Sequence, residues 1–373
     1  MKKSIIMIFI TLIGLTLMGC STSYHIQPTP DIKVPYLGDE WVGVWADEFE
    51  GDQLDVDKWN FEIGGHGWGN QELQYYTYTN HEVSDGTLKI HVKNEPHFNR
   101  QYTSSRLTTR HKGDFKYGRI QVRAKLPNGR GLWPAIWMMP TDSTYGGWPH
   151  SGEIDIMEYV GYQPSIVHSA LHTSVYNGMQ GNNHHSSLEY PTLEDTFKVF
   201  ELIWEPGQIT TYIDGFEIFK YIYTPQFNQA HHAHEVFPFT EQFYLIMNVA
   251  VGGSWGGVQG VDNEIFSQVF EIDYVRVYQR DYQKIDRLKP ETPTGITAST
   301  QLQNSLFWQS AEDDYSIDYY EVYIDGQKHT EVPLNQITLR QLEPKKTYDI
   351  QVRAVDMTGK KSDLSQSFTY TYK

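Results

Sequence analysis

Short runs of alternating apolar and polar residues dominate the chain between about residues 38 and 280. Runs such as "GTLKIHV", "YGRIQVRAKL" and "EIDYVRVYQ" place apolar side chains at every second position, as in strands with one buried face. Gly, Asn, Asp and Pro separate these runs, and the spacing typical of amphipathic helices is nearly absent. The pattern predicts an all-β domain whose length suits one large sandwich or barrel.

A second, smaller β unit follows a change in composition. The stretch "DYQKIDRLKPETP" is charged and contains proline, which predicts a linker over residues 281–292. Alternating runs resume in residues 293–373. The sequence therefore predicts a large β domain over residues 38–280 and a second β-sandwich at the C-terminus.

The first twenty residues have a pattern of their own. Two lysines precede an apolar run, and small residues then lead to Cys20, the one cysteine of the chain. Residues 1–20 therefore predict a secretory signal rather than a spanning helix. The ending "LMGC" resembles the bacterial lipobox, which implies export and a lipid anchor at Cys20, on the cell surface or the periplasmic face. Residues 21–37 would be a polar tether, and the alternative is an ordinary cleaved signal with an incidental cysteine.

Charge and composition narrow the classes of function. The formal net charge is -16, which argues against nucleic acid as a partner because phosphates need basic residues. Aromatic residues make up 14% of the chain, with ten Trp, and flat aromatic faces suit sugar rings as well as cores. A single cysteine allows no intramolecular disulfide. We expect a monomer that meets a neutral ligand.

Three carboxylates lie close together in the apolar stretch "GEIDIMEYVG". On a strand, Glu153 and Asp155 share a face, whereas Glu158 has the opposite parity. A β-bulge at Ile156-Met157 would add one residue and return Glu158 to the face of the other two. The sequence therefore predicts a bulged strand with three acids in a row.

Three ionised carboxylates in a row repel one another and lose hydration unless a proton or a ligand compensates. Two carboxylates that flank a bond suit glycoside hydrolysis, one as nucleophile and one as a protonated acid. The alternatives are a solvated acidic strand or a cation site. A solvated strand would not need the apolar neighbours, which favours the catalytic interpretation.

The same motif resembles the active-site motif of glycoside hydrolase family 16 in its longer, bulged form. Further stretches in the same order resemble the family's endo-1,3-β-glucanases, the laminarinases: "WADEFEGDQLDVDKWNFEIGGHGWGNQELQYYT", "GLWPAIWMMP" and "FYLIMNVAVGGSWGG". The resemblance covers roughly residues 40–280. It implies a β-jelly-roll sandwich (concanavalin A-like) of two curved antiparallel sheets with a cleft on the concave side.

The resemblance also implies roles for individual residues. Glu153 matches the nucleophile, Glu158 the acid/base, and Asp155 the aspartate that orients the nucleophile. Other positions match residues that contact substrate in the family: Asn70, Arg106, Trp133, Trp137, Trp148, His172 and Trp255. No cofactor is expected for catalysis.

A structural Ca²⁺ on the convex face is a further implication of the resemblance. Glu48, the backbone of Gly86 and Asp273 match its usual oxygen ligands, which suit this hard cation. The histidine-rich "HHAHEVF" is interpreted as a loop rather than a transition-metal site, because no carboxylate or cysteine framework surrounds it.

The C-terminal unit resembles a fibronectin type III domain over its whole length. Trp308 lies where the family has its core tryptophan, and "LEPKKTYDIQVRAVD" has the family's leucine, proline and tyrosine spacing. Tyr348 would then form the tyrosine corner of that sandwich. No catalytic constellation is visible there, so a spacer role is expected.

These observations predict a retaining endo-β-1,3-glucanase that acts on laminarin-type β-glucans. The first alternative is a mixed-linkage β-1,3-1,4-glucanase, since bulged members accept both linkages. Agar and carrageenan are disfavoured as substrates because their enzymes have different cleft motifs. A non-catalytic glucan-binding surface protein is the alternative from another class, and the presence of both Glu153 and Glu158 argues against it.

Overall fold

The computed structural model describes residue 35 and residues 37–38, 40–224 and 230–373. The predicted signal, Cys20 and nearly all of the predicted tether lie outside the described residues. Among the residues that are described, no helix is long and apolar enough to span a membrane.

The large unit is built almost entirely from strands, as the alternating pattern predicts. In chain order they are β1 Trp41–Asp47, β2 Asn60–Phe61, β3 Gln74–Tyr76, β4 His81–Ser84, β5 Thr87–Val92, β6 Tyr102–Ser104, β7 Arg106–Thr108, β8 Asp114–Phe115, β9 Gly118–Lys125, β10 Leu132–Pro140, β11 Glu153–Glu158, β12 Ile166–His172, β13 His184–Glu189, β14 Lys198–Glu205, β15 Gln208–Ile213, β16 Phe216–Ile222, β17 Phe243–Val251 and β18 Gln268–Arg280. One helical turn, α1, spans Ala233–Val236, and a 3₁₀ turn spans Asn263–Ile265.

Two eight-stranded sheets make up this unit, and they confirm the predicted jelly-roll sandwich. One has the order β16-β15-β14-β9-β18-β5-β4, with β1 also paired to β18. The other has the order β13-β12-β11-β10-β17-β7-β2, with β8 also paired to β17. Short β3 and β6 pair in parallel as a separate ribbon. The second sheet carries the three acids on β11, so we call it the catalytic sheet.

A single apolar core lies between the two sheets. Alternate residues of β9, such as Ile120, Val122 and Ala124, enter it from one sheet. Ile154 and Ile156 of β11 enter it from the catalytic sheet and are completely buried. Because strand side chains alternate between faces, the neighbouring acids of β11 are directed to the opposite, outer face of the catalytic sheet.

The C-terminal unit is a smaller sandwich of a three-stranded and a four-stranded sheet. Its strands are β19 Thr297–Ala298, β20 Ser305–Phe307, β21 Ile317–Ile324, β22 Gln327–Val332, β23 Gln336–Thr338, β24 Thr347–Asp356 and β25 Phe368–Thr371. Trp308 is buried in its core and meets Tyr320 edge to face at 5.4 Å. The Tyr348 hydroxyl accepts the backbone N–H of Glu343 at 3.0 Å, which is the hydrogen bond of a tyrosine corner.

The segment predicted as a linker is packed against the large unit. It contains a helical turn, α2, over Tyr282–Ile285, and the buried Tyr282 belongs to the core cluster of the large unit. Leu334 and Met357 of the C-terminal unit belong to the same cluster. The sequence did not predict this docking because isolated apolar residues in loops have no periodicity that distinguishes them.

Candidate active site

Strand β11 has the predicted bulge. Against β12, Asp155 is opposite Ala170 and Glu158 is opposite His168, so three steps on one strand match two on the other. The register against β10 shifts at the same place. The extra residue falls at Ile156-Met157, and it returns Glu158 to the outer face that Glu153 and Asp155 share.

His172 connects to the first two acids from the end of β12. Its Nε2 lies 3.2 Å from Asp155 Oδ2 and 3.9 Å from Glu153 Oε1. Burial alone would lower the pKa of His172, but Asp155 and the two glutamates raise it to about 9. The backbone N–H of Gly178 donates to Nδ1 at 3.0 Å, so the neutral ring carries its proton on Nε2. In both the neutral and the charged ring, Nε2 is therefore the nitrogen that carries a proton beside Asp155.

Glu158 has different neighbours from Glu153. The indole N–H of Trp133 donates to Glu158 Oε1 at 3.0 Å. Burial, followed by the charge of Asp155, raises the pKa of Glu158 well above its ordinary value. The same two causes raise the pKa of Glu153, to about 8, while His172 and a hydrogen bond with Trp148 act in the opposite direction.

The two glutamates titrate together rather than separately. They interact, so their titrations belong to the pair, and the form with one proton is the one between the two transitions. Burial and Asp155 raise the pKa of both glutamates and His172 lowers both, so the pair holds one proton over a range of pH. The family resemblance assigns the ionised carboxylate to Glu153 and the proton to Glu158. One ionised and one protonated carboxyl on the same face is the arrangement that acid-assisted displacement at a sugar carbon needs.

Tryptophans of β10 flank the acids on the same face. Trp133, Ala135 and Trp137 occupy alternate positions of β10 and therefore share a face. Ala135 is opposite Glu158 of β11, and Trp137 is opposite Asp155. Trp133 meets Trp255 edge to face at 5.4 Å, and Trp148 lies 6.0 Å from the ring of His172. Trp148 is 40% exposed, so an aromatic face is open to a ligand beside Glu153. The structure thus brings these four predicted substrate contacts around the three acids.

Arg106 lies between two indoles rather than free in the cleft. Its guanidinium carbon is 4.6 Å from the ring centroid of Trp137 and 4.7 Å from that of Trp68. Its Nε donates to Glu62. The cation–π contact of Arg106, whose charge is paired with Glu62, fixes the Trp137 ring in place. The predicted role in holding sugar hydroxyls stays a prediction, and the observed contacts are those of a positioning residue.

A backbone hydrogen bond holds Asn70 at the rim of the cleft. Its carbonyl accepts the N–H of Ser254 at 2.7 Å, next to Trp255, and its side chain makes one long contact of 3.4 Å with Glu72. The side-chain amide is only partly buried and remains able to meet a ligand. A direct contact with substrate stays a prediction for this residue.

Sequence reasoning missed Trp68 and Asn248. The Asn248 side chain accepts the indole N–H of Trp137 at 2.7 Å and donates to the Tyr76 hydroxyl at 2.9 Å. Trp68 stands two residues before Asn70, in the same "GWGN" stretch that singled out Asn70. An asparagine in the apolar run "FYLIMNVAV" is itself a signal, because a buried amide needs partners.

Arginines pair with both carboxylates of the predicted convex-face calcium site. Glu48 forms a two-point pair with Arg276, with both distances 2.7 Å, and Asp273 pairs with Arg123. Gly86 is exposed in the turn between β4 and β5, at φ 73°. Two guanidinium groups at the carboxylates supply the positive charge that Ca²⁺ would bring. Calcium at this site stays a prediction.

Replacing His172 by Gln should move the acid limb of the pH–activity profile to higher pH. His172 lowers the pKa of Glu153, which must be ionised to attack, so its removal raises that pKa. A shift of about one pH unit is expected for the loss of a neighbouring charge. The kcat/KM profile of the two proteins checks this, and an unmoved acid limb would contradict the assigned coupling.

Comparisons with known proteins agree with this geometry. The family model "Glycosyl hydrolases family 16" matches residues 70–276, and the fibronectin type III model matches residues 291–371. The chain is 45% identical over 273 residues to a β-glucanase of Rhodothermus marinus, a match that covers 70% of this chain and 91% of that protein.

Solved structures give the same family. The crystal structure of the laminarinase from Rhodothermus marinus matches with a TM-score of 0.62 and 46% identity, covering 64% of this chain and 98% of that one. SCLam, a non-specific endo-β-1,3(4)-glucanase, matches with a TM-score of 0.60 and 37% identity, covering 66% and 94%. The family model spans more than half of the chain, and the three acids stand in the bulged strand that the sequence predicts. This chain is therefore a member of glycosyl hydrolase family 16 with a C-terminal fibronectin type III domain.

Proposed function

We propose that this enzyme hydrolyses β-1,3-glucosidic bonds inside laminarin-type β-glucans with retention of configuration. The observation that carries the proposal is the outer face of β11, where the bulge brings Glu153, Asp155 and Glu158 together between His172 and Trp133. Similarity to a β-glucanase and to a laminarinase supports the choice of substrate class.

The first step forms a bond between the enzyme and the sugar. An ionised Glu153 oxygen attacks the anomeric carbon while the Glu158 proton passes to the leaving glycosidic oxygen, so the bond to the leaving chain breaks. Asp155 lies beside Glu153, and its Oδ2 is 3.2 Å from His172 Nε2. The charge of Asp155 favours a retained proton on Glu158.

The second step releases the sugar. Glu158, now ionised, removes a proton from water as the water attacks the same anomeric carbon, and the bond to Glu153 breaks. The Trp133 N–H at 3.0 Å from Oε1 stabilises the ionised Glu158 of this step. Two inversions give net retention, and both glutamates return to their starting states.

Mixed-linkage β-1,3-1,4-glucan is the second candidate substrate. Similarity to SCLam, a non-specific endo-β-1,3(4)-glucanase, favours this candidate. A role restricted to binding glucan is disfavoured by the intact set of acids around His172.

Reducing-sugar release from four polymers tests the substrate. Laminarin should be cleaved fastest, with internal cuts that give short oligosaccharides, because the chain is similar to a β-glucanase and to a laminarinase. If lichenan is cleaved as fast as laminarin or faster, the enzyme would be assigned as a mixed-linkage glucanase. Activity confined to agarose or carrageenan would overturn the glucan assignment.

We also propose that the enzyme is exported and anchored by lipid at Cys20. The support is the sequence "LMGC" after two lysines and an apolar run. Labelled fatty acid should enter the wild-type protein and be absent from Cys20→Ser, which should also leave the membrane fraction. Label and membrane association that persist in Cys20→Ser would contradict the anchor.

A further inference from the structure

A second cluster of carboxylates lies at the junction of the two units, apart from the catalytic acids. Asp286 directly follows α2, Asp313 precedes β21, and Asp356 ends β24. Each side chain contributes one oxygen to a set whose members all lie within 4.8 Å of one another. Segments distant in sequence therefore bring three negative charges to one point.

Every one of these three carboxylates has a buried oxygen without a hydrogen-bond partner. The atoms are Asp286 Oδ2, Asp313 Oδ1 and Asp356 Oδ2. Asp286 is 4% exposed and Asp356 is 1% exposed. A buried carboxylate oxygen is strongly destabilising unless a donor or a cation faces it. A cation placed between three such oxygens would satisfy all of them.

The remaining oxygens are held by the chain and give the cluster a fixed shape. Asp356 Oδ1 accepts the backbone N–H groups of Thr358 and Lys360 at 2.8 and 2.9 Å, and the Thr358 hydroxyl at 2.8 Å. Asp286 Oδ1 accepts Lys360 Nζ at 2.7 Å. Neither contact uses the unpartnered oxygens, so both can remain when a ligand binds.

The charges of the cluster do not balance. Lys360 supplies one positive charge against three carboxylates, which leaves a charge of -2 (three minus one). Asp314, whose carboxylate accepts the N–H groups of Arg287 and Leu288, adds another negative charge beside it.

We propose that Asp286, Asp313 and Asp356 bind one Ca²⁺ ion, which fastens the linker to the fibronectin type III domain. The ligands are all oxygens, as hard cations require. Ligands from three different kinds of segment suit Ca²⁺ better than Mg²⁺, which needs a regular octahedron at shorter distances.

The bound ion would also fix how the fibronectin type III domain packs against the catalytic domain. Tyr282 lies four residues before Asp286, and Met357 follows Asp356 directly, and both pack into the core of the catalytic domain. An ion that joins the two aspartates therefore holds both apolar anchors in one arrangement. Loss of the ion would loosen the junction without removing any catalytic residue.

Calorimetric titration of Ca²⁺ into the EDTA-treated full-length enzyme tests the proposal. The wild type should bind one Ca²⁺ that Asp356→Asn does not bind. This variant keeps the oxygen that accepts the Thr358 and Lys360 N–H groups and replaces only the unpartnered one. Asp313→Asn is a second variant, since the Asp313 carboxylate otherwise accepts one long 3.5 Å hydrogen bond from Tyr315.

Asp363→Asn is the matched control. It makes the same change of charge near the linker, on an exposed side chain that pairs with Lys289 at 3.1 Å, and should bind Ca²⁺ like the wild type. Ca²⁺ at about 100 times its Kd should raise the unfolding temperature of the C-terminal transition by roughly 10 °C in wild type and control. It should also slow proteolysis at residues 281–292.

Two results would overturn the proposal. One is a wild type that binds no Ca²⁺, with melting and proteolysis unchanged by Ca²⁺ or EDTA. The other is Ca²⁺ binding that persists undiminished in folded Asp356→Asn and Asp313→Asn, which would place the ion elsewhere in the chain. Both variants are checked for folding by their near-ultraviolet circular dichroism.

Discussion

Glu153→Ala should lose nearly all activity, on the order of 10⁵-fold in kcat, because no other group is placed to form the covalent bond. Asp155 lies beside Glu153, but its Oδ2 faces His172 Nε2 at 3.2 Å, so it does not replace the nucleophile. Steady-state hydrolysis of laminarin checks the loss.

Azide distinguishes a missing nucleophile from a damaged protein. The alanine opens a space below the anomeric carbon, where a small anion can attack in place of the carboxylate. On an aryl β-glycoside with a good leaving group, azide should restore turnover and yield the α-glycosyl azide, because only one inversion occurs. A β-glycosyl azide from this variant would contradict the role of Glu153.

Asp155→Asn is the control for this experiment. It keeps the shape of the acid row and removes the charge that orients its neighbours, so turnover should fall without disappearing. Azide should give no rescue, since the nucleophile is still present. A variant as inactive as Glu153→Ala, and equally rescued by azide, would assign the nucleophile to Asp155 instead.

The acid row could be predicted from the sequence because it depends on local geometry. Period-two alternation places Glu153 and Asp155 on one face, and the two consecutive apolar residues after Asp155 locate the bulge that includes Glu158. The register against β12 confirms this. The family resemblance adds the roles, and the different neighbours of the two glutamates provide a physical reason for them.

The Arg106 contacts could not be predicted in the same way. Arg106 is on β7, Trp137 on β10 and Trp68 in a loop, and the stacking arises only when three distant segments meet. Side-chain direction in a loop follows no period, so Trp68 was missed. The domain junction is similar, because Tyr282 and Met357 are single apolar residues within polar stretches.

Glu158→Ala should separate the two steps of the reaction. Without a proton donor, cleavage of laminarin should fall by roughly 10²- to 10⁴-fold, the range for loss of a general acid. An activated aryl glycoside needs no proton on its leaving group, so it should still transfer its sugar to Glu153. Water then attacks slowly because no base assists it, and the glycosyl-enzyme should accumulate and be visible by mass spectrometry of the intact protein.

The pH dependence of kcat/KM tests whether Glu158 is the proton donor. In the wild type, kcat/KM should fall at low pH as Glu153 gains a proton and at high pH as Glu158 loses its own, whose pKa is raised by burial and by Asp155. With the activated substrate, Glu158→Ala should lose the basic limb and keep the acid limb, since Glu153 must still ionise. Azide should release the trapped sugar as the β-glycosyl azide, the product of two inversions. A basic limb that survives in the variant would mean that another group donates the proton, and an α-azide would mean that Glu158 had been the nucleophile.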